Sequence, residues 1–130
     1  VGAEVSGLLV IEGGRATIGI NPTESAVRQR FTIAHELGHF ELHNDGDELF
    51  VDKGFKVLFR DQNSSKGEFK KEQEANAFAA ALLMPEKFIR EEINTDSFDL
   101  TDEDSMKKLA KTFNVSVPAM TYRISNLGLF

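Results

Sequence analysis

Apolar positions in the first twenty residues fall into two short runs, residues 5–11 (VSGLLVI) and 15–20 (RATIGI). Both are rich in β-branched and aliphatic side chains, and Glu12-Gly13-Gly14 between them has the turn chemistry of a tight hairpin. Asn21-Pro22 ends the pairing, and the period then changes. Val27, Phe31, Ala34, Leu37 and Gly38 recur at helical spacing toward His43, behind Thr23 or Ser25 as the N-cap. Asn44-Asp45-Gly46-Asp47 is a turn, residues 55–59 form a further β-prone patch, and the polar stretch 62–67 reads as a loop.

Residues 68–84 predict a second long helix, rich in alanine and stopped by Pro85. Residues 85–93 suit a short helix with proline in its first turn, and 94–99 a loop. Thr101 with Asp104 three residues on resembles a capping box ahead of Met106, Leu109, Ala110 and Phe113. A final helix starts at Ser116, with Pro118 in its first turn and Gly128 past its end. The expected fold is α+β, a small antiparallel sheet packed against a helical core.

Composition narrows the functional classes. The 130 residues are expected to form a single domain over 1–130, with 41% hydrophobic and 28% charged residues, ordinary values for a soluble globular protein. No apolar run approaches the roughly 18 residues of a membrane span, and no secretory leader is visible, so a cytoplasmic protein is expected. The chain opens on Val1 rather than Met, which leaves room for sequence ahead of it in a longer protein. The net charge of −6 is spread along the chain without a basic stripe, so nucleic acid is not an expected direct partner. Cysteine is absent, so any metal must be held by histidine and carboxylate.

The strongest local signal is His35-Glu36-Leu37-Gly38-His39, an H-E-x-x-H motif on the first predicted helix. Positions four apart on a helix point about 40° from each other and lie about 6 Å apart along the axis, so two imidazoles can converge on one ion. Glu36 then lies beside that ion, placed to take a proton from water and return it to a leaving amine. A pair of ordinary surface histidines is the plain alternative. Against it, all three histidines of the chain (His35, His39, His43) fall within nine residues.

A catalytic zinc usually takes three protein ligands. His43 lies about 12 Å from His35 along a straight helix, too far for easy joint ligation, and is read as a residue supporting the site or favoured near the helix C-terminus. A carboxylate on the Ala-rich helix is the better candidate, with Glu68, Glu72 and Glu74 available. Glu74 shares a helical face with Ala77, Phe78 and Ala81, and a carboxylate heading an apolar stripe needs a cation once buried. Glu72 points about 160° away from it, so the two cannot both serve.

The block from Arg30 to His39 (RFTIAHELGH), followed by that from Glu74 to Pro85 (EANAFAAALLMP), closely resembles the ImmA/IrrE family of metallo-endopeptidases. Phe113, Val115-Ser116, Arg123 and Leu127-Gly128 resemble the same family's closing segment, while the additional helical sequence that members commonly carry before the hairpin has no counterpart. The resemblance implies a zincin-like fold, Zn²⁺ as cofactor, His35, His39 and Glu74 as its ligands, and Glu36 as the general base. It further implies a protein substrate, a helix-turn-helix repressor whose cleavage relieves repression in phage, mobile-element or stress responses.

Two other classes remain. One is a metal-binding but catalytically idle interaction module. The other is a DNA-reading helix-turn-helix over residues 113–127, which the charge opposes, since from Ile93 onward four basic residues face five acidic ones.

Overall fold

The computed structural model describes residues 5–53, 66–94 and 98–129. Strands β1 (Gly7–Glu12) and β2 (Arg15–Ile20) form the expected hairpin, closed by a two-residue turn at Gly13 and Gly14. Strand β3 (Glu48–Asp52) pairs antiparallel with the other edge of β1, giving the order β2-β1-β3. This third strand begins directly after the acidic turn; the patch expected at 55–59 lies outside the described residues. The register sets Ile18, Leu9 and Phe50 side by side across the sheet. With Ile11 these residues make a core against which Phe40 packs from helix α1 (Ala26–Leu42).

Each helix starts for a local chemical reason. Ser25, rather than Thr23, caps α1 by accepting from the Arg28 N–H, because Thr23 is held by Asn21, whose Oδ1 accepts from both its N–H and its hydroxyl. Helix α2 (Lys66–Leu83) ends before Pro85, and α3 (Glu86–Ile93) follows. Asp102 caps α4 (Glu103–Phe113) by accepting from Asp104 N–H. The expected cap, Thr101, instead donates its hydroxyl to Asp99. Ser116 caps α5 (Val117–Asn126).

The chain divides into two compact units, Val1–Ala79 and Ala80–Phe130. In the first, α1 lies on the three-stranded sheet. In the second, α4 packs on α5, and the buried side chains include Met84, Ile89, Met106, Leu109, Met120 and Ile124. Arg123, from the closing segment, donates from Nε to the Met84 carbonyl. No helix among the described residues is long and apolar enough to cross a membrane.

Candidate metal centre

The site belongs wholly to the first unit and is assembled from α1, α2 and the end of β3. Helix α1 supplies His35, Glu36 and His39, all buried as far as 0–2% exposure, which is not where surface histidines would sit. Helix α2 comes very close to α1 at Gly38. A methyl group there would stand 3.1 Å from the Ala75 Cα and carbonyl oxygen and from Phe78 Cβ. Glycine inside the motif therefore lets a buried alanine face of α2, Ala75 and Ala79, approach the backbone of α1.

That face determines which carboxylate meets the histidines. Glu72, Ala75, Asn76 and Ala79 follow the i, i+3, i+4, i+7 pattern of one helical face. Glu72 Oε2 lies 2.8 Å from His35 Nε2, and Glu72 Oε1 lies 3.1 Å from His39 Nε2. His35, His39 and Glu72 thus present three donor atoms within 4.8 Å of one another. Glu74, the expected third carboxylate, is turned aside by the two-residue step of about 200° and sits 3.3 Å from His43 Nε2. On the face that Glu74 heads, Ala77 and Ala81 are exposed.

The imidazoles are held by their outer nitrogens. Asn76 Oδ1 lies 2.7 Å from His35 Nδ1, where an amide oxygen can only accept, so a proton sits on Nδ1 and Nε2 is the nitrogen turned to the centre. His39 Nδ1 lies 2.9 Å from His43 Nδ1, and its ring stacks on Phe50 with centroids 4.2 Å apart and planes 15° from parallel. The His35 to Glu72 approach is close by distance but misaligned for a hydrogen bond from Nε2. Two imidazole nitrogens converging on one carboxylate need a positive charge among them, whether protons or an ion.

Without an ion the charge comes from protons. Burial works to lower the His35 pKa, but Glu72, Asp52 and Glu36 together lift it to about 9. Burial likewise works to raise Glu72, yet His35 and His39 outweigh it and hold the carboxylate down at about 2. Glu36 goes the other way. Burial, with Asp52 and Glu72 adding and only His35 opposing, takes it to about 8, and neither of its oxygens has a hydrogen-bond partner among the described residues. A buried carboxyl without partners is costly in a purely structural role and suits a group awaiting a substrate or water.

Sequence reasoning missed Asn76 and Asp52. Asn76 was legible as the i+4 neighbour of Glu72. Asp52, which groups with His35 and Glu36, arrives from a strand far away in sequence and carries no local signature. Another residue of the same kind is Gly7 on β1, where a Cβ would collide with Thr32 Cγ2 and stand 3.2 Å from Glu36 Oε2.

Two imidazoles and a carboxylate converging beside an unpartnered glutamate form the donor set of a metallopeptidase. Residues 2–125 match the IrrE N-terminal-like domain family of peptidases, and the chain belongs to that family. It is similar to metallopeptidase ImmA of Bacillus subtilis (strain 168), 29% identical over 127 residues that cover 98% of this chain and 67% of the relative. It is also similar to the radiation response metalloprotease IrrE of Deinococcus radiodurans, 35% identical over 106 residues, 82% of this chain. The matched part makes up 30% of that longer relative. The chain is by class a peptide-hydrolase domain, and the ImmA/IrrE resemblance of its motifs is family membership.

Proposed function

We propose that this chain acts as a zinc-dependent endopeptidase, with the ion held by His35, His39 and Glu72 and with Glu36 as general base. The observation that carries the reading is the convergence of those three side chains beside a buried glutamate with two free oxygens. A His₂Glu donor set suits zinc, the residues present fit it, and Nε2 of each histidine faces the centre while Nδ1 is engaged by an outer partner, Asn76 or His43. Bound zinc supplies Lewis acidity, polarising a peptide carbonyl and easing the ionisation of water. Glu36 accepts the proton of the attacking water and delivers it to the departing amine. Asn76 and Phe50 hold the rings of His35 and His39 so that the donor atoms need little reorganisation.

The substrate in this reading is a helix-turn-helix repressor in the cytoplasm, cut so that its target genes are released. Support comes from the resemblance of the two motif blocks. Metal content is the direct test, on protein purified without added metal. About one zinc per wild-type chain is expected, kept in Glu74→Ala and lost in Glu72→Ala. Glu36→Gln should keep the zinc and lose cleavage by about 10²–10⁴-fold. Zinc retained by Glu72→Ala, or cleavage retained by Glu36→Gln, would overturn the assignment. For the substrate, co-expressed repressor should be truncated by wild type and left whole by Glu36→Gln.

A further inference from the structure

We infer that His43 and Glu74 are positioning residues that hold His39 in the ring orientation and tautomer a metal requires. The inference rests on the metal site proposed above and adds two residues that do not touch the ion. His43 caps the C-terminus of α1, with its backbone N–H on the His39 carbonyl at 2.8 Å. Its side chain is buried, and both ring nitrogens are engaged, Nδ1 at 2.9 Å from His39 Nδ1 and Nε2 at 3.3 Å from Glu74 Oε1.

Once His39 ligates an ion through Nε2, proton placement along this chain of contacts has one neutral solution. His39 can ligate through Nε2 only if its proton is on Nδ1. That N–H needs an acceptor, and the atom facing it is His43 Nδ1. A proton on His43 Nδ1 would set two donors against each other, so the His43 proton must sit on Nε2, and there it faces the Glu74 carboxylate. Glu74 thereby determines, through one intervening ring, which nitrogen of His39 is bare. His35 reaches the same state by a shorter route, through the Asn76 amide. Phe50 stacks on the His39 ring and fixes its plane, which leaves the rotation about that plane and the tautomer to His43.

The test reads ring nitrogens directly, by long-range ¹H–¹⁵N correlation on the full chain with and without added zinc. Zinc should shift Nε2 of both His35 and His39, with His39 protonated at Nδ1 and His43 protonated at Nε2. In chelator competition, His43→Ala should weaken zinc binding by about 10–100-fold, the usual cost of losing an outer partner of a metal-ligating histidine. His43→Gln, whose amide can still accept from His39, should recover part of it. Glu74→Leu should fall at the low end of that range, since Glu74 is half exposed, and Glu74→Gln, which keeps an acceptor oxygen, should stay near wild type. Zinc-dependent shifts at His35 and His39 with a proton on His43 Nδ1, or with unchanged affinity in a folded His43→Ala, would overturn the positioning role and leave the metal site standing. No zinc-dependent shift at either ligand would overturn the metal site, and the positioning role with it.

Discussion

The two units of this chain bury different kinds of residue. Among the described residues, the first unit buries Ser6, Thr32, His35, Glu36, His39 and His43, while every buried residue of the second is apolar. An all-apolar interior stabilises the fold and performs no chemistry. A polar interior costs free energy wherever a group lacks its partner, as at Glu36 and Thr32. Substitutions in the two units should therefore differ in sign as well as size.

The largest loss of stability is expected in the second unit. Leu109→Ala, at a position 1% exposed, should cost about 2–5 kcal/mol in a denaturant titration while the protein, still folded in buffer, keeps its zinc. A loss below 1 kcal/mol would mean that this interior is loosely packed.

Glu36→Gln should do the reverse, raising the stability of metal-free protein at pH 9 by about 1–3 kcal/mol while ending cleavage. The direction follows from the carboxyl's pKa, about 8 folded against 4.5 as a free group. Its raised pKa favours the folded state fully below about pH 4.5, and that advantage is lost as pH rises through 8. If the variant is less stable than wild type at pH 9, Glu36 has a structural partner that the contrast leaves out.

Zinc uptake should sharpen the comparison further, because it must displace the His35 proton, held up to about pH 9 against 6.5 for the free ring. In metal-free protein this pairing stabilises fully below about pH 6.5 and is lost as pH rises through 9. Between those limits zinc affinity should therefore climb by about tenfold per pH unit, with about one proton released per ion bound. Calorimetry in buffers of different ionisation enthalpy reads that proton, and a flat affinity over this range would contradict the pairing. The smallest effect belongs to the exposed pair of Arg90 and Glu86 at 2.7 Å. Arg90→Ala should change stability by about 0.5 kcal/mol or less, and a larger change would assign the surface of the second unit a role it lacks here.

Much of this was readable from the residues alone. The hairpin, the motif helix and the proline-stopped second helix all follow from local patterns, because period, turn residues and caps act over a few positions. The third strand was not, since Glu48–Asp52 alternates only weakly and gains its place by pairing with β1. The carboxylate that meets the histidines illustrates a finer difference. Glu72 and Glu74 differ by two positions, and the choice between them depends on which face of α2 meets α1. Small residues at Gly38, Ala75 and Ala79 carried that information, but reading it required treating alanine as a contact surface rather than as part of an apolar stripe. Asp52 had no such signal, because only the fold brings a strand end to a helix.

The close approach at Gly38 has a consequence for ion selectivity. Side chains can rotate to suit ions of different radius, but here the span between the histidines and Glu72 is set by main chain resting on main chain, Gly38 against Ala75. Such a contact has no rotamers with which to adjust. It behaves as a caliper for any ion seated there, so a single methyl added at Gly38 would act on coordination distance, and through it on which metals the site accepts.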